Sequence, residues 1–417
     1  MSVDALKVVL DREKAGTTKL HPRWARANTL VAESAASVLN LLPSCKERKR
    51  LVDVLEIGNE PGYCHDEHVP KLLAFSTTVD VSRSDAFKGG QLILQDKASC
   101  FPAYLLLGGQ RKGSIGDVMD GCAAPGNKTT HLAAIMHDLQ ATGNIFACER
   151  DSARSKTLQS MVTKAHAGQV KILARQDFLA LKPSDLRFQN VTHLLLDPSC
   201  SGSGILGRED IPKLAVPGDS RANNRSNTKA IEAARLKKRK REETEEIEEE
   251  VAAIEAEQGT ADDEEAAPTE ATKERLRKLS NLQTKIVEHA MSFPAARRIT
   301  YSTCSIHEQE NEVVVSRLLS SKVAQTRGWM VLLRSDQVEG MKKWKHRGVQ
   351  STTENRNEEN RLGKDELDAC IRCSPDNEEG TMGFFVCGFV RTPNAATVSV
   401  SRDRSEDDDD GAWEGFD

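Results

Sequence analysis

The chain has no run of about 18 consecutive apolar residues with which to cross a bilayer. Its first 30 residues also lack the apolar core of a secretory signal, so a soluble protein is the expectation. Disulfide scaffolding is equally poorly supported. The ten cysteines, at 45, 64, 100, 122, 148, 200, 304, 370, 373 and 387, show no framework spacing, which in a chain of 417 residues favours reduced thiols and an intracellular setting. No metal centre is expected: Tyr63-Cys64-His65 with His68, and Cys370-x-x-Cys373, each offer ligands without a second pair beside them. The glycine spacing of a phosphate-cradling P-loop is missing as well.

What the chain does have is length enough for two folded units, and an uneven charge. The net charge is -5, but residues 219 to 270 carry -7 and residues 401 to 417 carry -6, which leaves +8 on the remainder. A basic body with acidic appendages suits a polyanion such as RNA. Five consecutive cations, Lys237 to Arg241, read either as a nuclear-import or RNA-binding patch or as a solvated charge block. The charged run 208 to 279 around them has too little apolar surface to order itself and reads as a disordered insertion, and 396 to 417 as an acidic disordered tail.

Elsewhere, strand-like and helix-like runs alternate, which argues for a doubly wound, Rossmann-like α/β domain over 86 to 207 and 280 to 395. Residues 1 to 85 read as a smaller N-terminal α/β unit that binds RNA. In it, Arg23, Trp24 and Arg26 either offer cations and a stacking plane to single-stranded RNA or form a strand with Trp24 in the core. Gly90 to Leu94 reads as a strand at the entry to the larger unit. There, Asp117 to Asp120 reads as a strand, Gly121 to Lys128 as a tight loop and His131 to Met136 as a helix. Small residues at such a turn let a nucleotide approach backbone amides and a helix N-terminus. The strand Asn144 to Glu149 ends in an acid suited to the two hydroxyls of a ribose, or else to capping the helix from Asp151. Asp177, beyond the strand 170 to 174, either meets an adenine amino group or caps a turn.

Leu194-Leu195-Leu196-Asp197-Pro198-Ser199-Cys200 passes from an apolar run to an acid and a thiol, as a buried parallel strand does where it ends at a ligand. Cys304 follows the next strand, Arg297 to Tyr301, in the same kind of context. Two strand-end thiols and a carboxylate suit methylation at carbon 5 of a pyrimidine. That carbon is a poor nucleophile until a thiolate adds at carbon 6. Asp197 is placed to hold the Watson-Crick edge, and the second thiol to help as base or in expelling the first. A free thiol has a pKa of ~8.5, so the nucleophile needs a nearby cation or helix dipole, for which Lys128 is a candidate. Spacing alone leaves open which cysteine attacks.

Three stretches, Cys122-Ala123-Ala124-Pro125-Gly126-Asn127-Lys128-Thr129, Asp197-Pro198-Ser199-Cys200-Ser201-Gly202 and Thr303-Cys304-Ser305, occur in this order and together resemble the Sun-type RNA 5-methylcytosine methyltransferases. The resemblance spans residues 20 to 207 and 275 to 390. It implies S-adenosylmethionine as cofactor, contacted by Cys122, Ala123, Ala124, Pro125, Gly126, Asn127, Lys128, Glu149, Arg154, Asp177 and Asp197. It also implies Cys304 as the nucleophile and Cys200 as the assistant in product release, whereas DNA cytosine methyltransferases attack from the Pro-Cys turn after strand four. Ser199 stands where the family usually carries a second proline. That departure, with Gln95-Asp96-Lys97-Ala98-Ser99-Cys100 and Met291-Ser292-Phe293-Pro294-Ala295-Ala296, is similar to the eukaryotic subgroup acting on large-subunit rRNA. Relatives often carry a longer helical N-terminal region.

The expectation is therefore an RNA cytosine-5 methyltransferase, monomeric and free of membrane and metal, acting on large-subunit rRNA or a pre-ribosomal particle in the nucleus or nucleolus. Two other readings compete. One is a non-catalytic ribosome-assembly factor on the same scaffold, which has no need of both thiols and Asp197. The other is a dithiol oxidoreductase cycling Cys200 and Cys304 through a disulfide.

Overall fold

The computed structural model describes residues 21–32, 34–42, 45–56, 60–205, 270–350 and 361–392. The basic run at 237 to 241, most of the expected insertion and the acidic tail lie outside the described residues. Two sheets organise the rest. The smaller contains β1 (Arg23–Ala27), β2 (Lys46–Glu47), β3 (Gly62–His65), β4 (Leu72–Phe75) and β5 (Leu92–Leu94), in the order β2-β3-β4-β1-β5. The larger contains β6 (Asp117–Asp120), β7 (Ile145–Glu149), β8 (Val170–Ala174), β9 (Val191–Leu196), β10 (Arg298–Thr303), β11 (Trp329–Val331), β12 (Ile371–Cys373) and β13 (Phe384–Arg391). Its order is β11-β13-β10-β9-β6-β7-β8, with β12 also paired to β13.

From β10 to β8 the strands are parallel, and β13 runs antiparallel to β10. Chain order reverses between β6 and β9, which opens a crevice beyond their carboxyl ends. Every residue of β6, β7 and β9 is buried, which suits their apolar centres, while Asp117, Asp120, Glu149, Thr192 and His193 are buried polar exceptions. Helices cover both faces: α1 (Lys97–Leu107), α2 (Asn127–Asp138), α3 (Ser152–Lys164), α4 (Glu270–Met291) and α5 (Glu312–Leu319). Asp96 and Asp151 cap α1 and α3 by accepting from the amides of Ala98 and Arg154.

Four details differ from the sequence reading. The strand Leu92–Leu94 belongs to the small sheet, because it pairs antiparallel with Ala25–Ala27 of β1 rather than with the parallel strands. Helix α4 begins at Glu270, within the stretch read as insertion to 279, because Leu276, Leu279, Ile286, Val287 and Ala290 form one buried stripe. The run 308 to 319 is broken at Asn311 into a short 3-10 turn and α5. Trp24 is core and no stacking platform: it is 5 % exposed, and its indole N–H donates to the Gly380 carbonyl at 2.7 Å.

Arg26 is buried too, and its guanidinium donates to Gln95 Oε1 and Thr130 Oγ1, each at 2.7 Å, and to the Asn127 carbonyl at 3.3 Å. Burial lowers its pKa to about 10. Strand β1 thus buttresses the first turn of α2, linking the small sheet to the loop that precedes that helix.

Candidate active site

Strand β6 delivers Asp120 to the loop Gly121–Gly126, which contains a cis Ala124–Pro125 peptide. Gly126 adopts φ 112°, and a Cβ there would stand 3.0 Å from Met161 Cβ, so both conformation and space require glycine. Beyond the loop a cleft of about 690 Å3, open to solvent, is lined by Cys122, Glu149, Arg154, Asp177 and Asp197. Phe178, Leu282 and Ile286 supply apolar walls. Phe178 itself stacks on Phe293 with ring centroids 5.9 Å apart.

Glu149, at the end of β7, is buried, and its Oε1 accepts the Asp151 amide at 2.8 Å. Arg154 reaches back from α3 to donate to the Ala124 carbonyl at 3.1 Å and lies 3.7 Å from Glu149. Asp177 caps its turn through Leu179 N and also lines the cleft. A carboxylate at the second strand end, an acid beyond the third and apolar walls form a donor set that fits an adenosine-type cofactor. Ala123 and Ala124 are buried in the loop behind this cleft. Pro125, Gly126 and Asn127 complete the turn into α2 and do not line the cleft.

Lys128 turns away to the other side of Asp197. Its ammonium sits 2.7 Å from Asp197 Oδ2 and donates to Ser99 Oγ at 3.0 Å. Burial alone would lower its pKa, but Asp197, Cys304 and Asp120 outweigh that and raise it. The other oxygen of Asp197 accepts from Ser302 Oγ at 2.6 Å. Just beyond, Cys200 Sγ and Cys304 Sγ stand 2.9 Å apart, both half-buried and neither in a disulfide. The hydrogen bond with Cys304, then burial, then the charges of Glu310 and Asp197 push the Cys200 thiol well above its ordinary pKa.

The two thiol turns are fastened from behind by neighbouring residues. Glu310 accepts the Ser201 amide at 3.0 Å and Gln283 Nε2 at 2.9 Å, which fixes the Cys200 turn. Asn311 accepts from Thr303 Oγ1 at 2.6 Å and donates to the Ser305 carbonyl at 2.9 Å, which fixes the Cys304 turn. From the front, Gly204 N donates to the Cys304 carbonyl at 3.0 Å, and Gly383 N to the Gly204 carbonyl at 2.8 Å.

Asp120, Gln283, Ser302, Glu310 and Asn311 were not singled out from the sequence. Gln283 had a signal: a polar residue on the buried stripe of α4. Glu310 and Asn311 also had one, as polar residues entering a helix six and seven positions after a strand-end thiol. At the metal-ligand candidates, His68 lies beside Glu67 and Glu379, yet the Lys97 ammonium enters the same cluster, 3.2 Å from His68 Nδ1 and 3.3 Å from Glu379. Among the described residues no helix is long and apolar enough to cross a membrane.

Parallel strands in this order, extended by an antiparallel pair and opening on a nucleotide-type cleft beside a thiol pair, define a Rossmann-like methyltransferase domain. Comparison narrows the class. Residues 110–242 match the family model for 16S rRNA methyltransferase RsmB/F. The chain is 35% identical over 368 residues to a 25S rRNA (cytosine-C(5))-methyltransferase of Schizosaccharomyces pombe, covering 88% of this chain and 63% of that protein. It is 31% identical over 385 residues to a 26S rRNA (cytosine-C(5))-methyltransferase of Caenorhabditis elegans, covering 90% and 68% respectively. The crystal structure of a methyltransferase homologue from Pyrococcus horikoshii superposes with a TM-score of 0.55 at 18% identity, over 94% of this chain and 100% of that one, and so shares the fold. The chain belongs to the RsmB/F family, beside eukaryotic large-subunit rRNA cytosine-C5 methyltransferases. It spans about two thirds of the length of these two curated relatives.

Proposed function

We propose that this chain methylates carbon 5 of a cytosine in RNA, with large-subunit rRNA as substrate and S-adenosylmethionine as methyl donor. The observation that carries the reading is the pair of thiols 2.9 Å apart beside the Asp197–Lys128 ion pair, at the lip of the nucleotide-type cleft. Glu149 would take the ribose hydroxyls and Asp177 the adenine edge, between Phe178, Leu282 and Ile286, with Cys122 and Arg154 at the rim. When bound, the cofactor supplies an electrophilic methyl group.

The chain's own groups do the rest. Cys304 as thiolate bonds to carbon 6 of the cytosine, which moves electron density to carbon 5. Asp197 accepts from the exocyclic amine, and Lys128 beside it favours the negative charge that develops on the ring. After methylation, a solvent water takes the carbon-5 proton, its bonding pair forms the ring double bond, and the carbon–sulfur bond breaks with Cys304 leaving as a thiolate. Cys200, held protonated at contact distance, suits it to hand a proton to the departing sulfur rather than to act as the base. The small sheet and the basic body would guide the RNA, and the target must leave its stack to reach the thiols. A monomer in the nucleolus is part of the proposal; a fluorescent fusion excluded from nucleoli would remove that location.

The test is nucleoside mass spectrometry on rRNA incubated with S-adenosylmethionine and the chain or its Cys304→Ala variant. New 5-methylcytidine with the parent alone supports both reaction and nucleophile. Methylation by Cys304→Ala would overturn the assignment; if neither protein methylates the rRNA, bound cofactor would point to a pre-ribosomal particle as the substrate, and failure to bind cofactor would favour the assembly-factor reading.

A further inference from the structure

Two of the exposed large apolar side chains among the described residues flank the thiols: Ile205, 40 % exposed, and Ile306, 41 % exposed. Ile306 lies two residues beyond Cys304. Its backbone is pinned at both ends: the amide donates to Ser203 Oγ at 3.2 Å, and the carbonyl accepts from Arg372 Nη1 at 2.9 Å. Arg372 is itself locked by two 2.6 Å hydrogen bonds to the Glu312 carboxylate. The side chain leans over Gly383, where a Cβ would come within 2.9 Å of Ile306 Cγ2. Branching at Cβ further limits its rotamers. Ile306 is thus a rigidly mounted apolar projection at the mouth of a polar site, where exposure to water gains nothing.

We propose that Ile306 is a wedge that enters the base stack of the RNA beside the target cytosine and fills the step the extruded base vacates. Extruding a base sacrifices stacking on both faces, and apolar side chains inserted at base steps offset that loss. The proposal rests on the cytosine reading of the thiol site. It adds a determinant of which cytosines are reached: wedging matters for a base held in a stem and far less for one already unstacked.

The test uses the full chain and two RNAs carrying one cytosine in the same flanking sequence, paired in a hairpin stem in one and unpaired in the other. Methyl transfer is followed with each, and 2-aminopurine beside the cytosine reports unstacking without requiring methylation. Ile306→Ala is expected to lower the ratio of stem to unpaired kcat/KM roughly tenfold, with the stem 2-aminopurine signal suppressed and Ile306→Leu retaining most of the ratio. An unchanged ratio in Ile306→Ala, with parental fluorescence, overturns the wedge while leaving the cytosine reading intact. Fluorescence that rises with the parent and not with Ile306→Ala, in the absence of any methylation, keeps the wedge and removes the cytosine reading. Thermal melting of both variants separates these outcomes from misfolding.

Discussion

Glu310 offers a sharp perturbation because one carboxylate holds two donors from two directions. It is fully buried, and Ser201 N and Gln283 Nε2 both donate to it. Both donors share Oε1, so in Glu310→Gln the amide oxygen keeps that position without its charge, while the NH2 group replaces Oε2, 3.3 Å from Ser201 N, and sets donor against donor there. The variant therefore loses a charge-assisted hydrogen bond and buries an unmatched donor, which costs roughly 2–4 kcal/mol in all. For a chain of this size that corresponds to a fall in melting temperature of about 2–6 °C. The consequence for chemistry is selective: the Cys200 turn loses its anchor, while Asn311 still holds the Cys304 turn. With RNA and S-adenosylmethionine, Glu310→Gln and Cys200→Ala should both build up a covalent protein–RNA band on a denaturing gel, and Cys304→Ala should form none. Melting at the parental temperature, or lowered melting with parental turnover and no band, would refute the reasoning.

Gly204→Ala places a Cβ 2.3 Å from the Gly383 carbonyl oxygen, backbone against backbone, and should cost about 1–3 kcal/mol and part the two thiol turns. Turnover should fall at least as steeply as for a generally destabilised control; melting and turnover both at parental values would contradict the close approach. Trp24→Phe leaves the Gly380 carbonyl unpartnered and should cost about 1–3 kcal/mol, without weakening RNA binding measured well below the melting midpoint. A specific loss of RNA affinity would restore the stacking role. Burial raises Asp120 to about 6, against hydrogen bonds from Thr129 and Cys122 that lower it. A carboxyl raised on folding binds more protons in the folded state, so its contribution falls as pH rises from about 4 to 6 and stays unfavourable above, by roughly 3 kcal/mol. Asp120→Asn should therefore flatten the dependence of stability on pH across that window in denaturant titrations; parallel curves would sink the assignment.

The strand ends at Glu149, Asp197 and Cys304 were legible because a buried parallel strand must be apolar and must stop where it meets a ligand. Trp24 was not, since an aromatic between two arginines looks the same whether it faces bases or core. Its decisive partner, Gly380, is 356 residues away in sequence. The start of α4 was hidden because Glu270 to Lys278 is charged like the segment before it, and only Leu276 and Leu279 reveal a buried face. Glu310 and Gln283 escaped for the same reason: whether a polar side chain is buried depends on donors supplied by other elements.

Helix α4 places Leu282 and Ile286 in the cleft wall and, between them, Gln283 in hydrogen bonds with the Ser199 carbonyl and Glu310. Enlarging the cleft for a bulkier methyl-donor analogue by trimming Leu282 or Ile286 would loosen the same rod that holds the thiol turn. Redesign of cofactor size from this wall is therefore coupled to catalysis. Leu179, which also lines the cleft, makes no hydrogen bond to either thiol turn among the described residues and is the better place to cut.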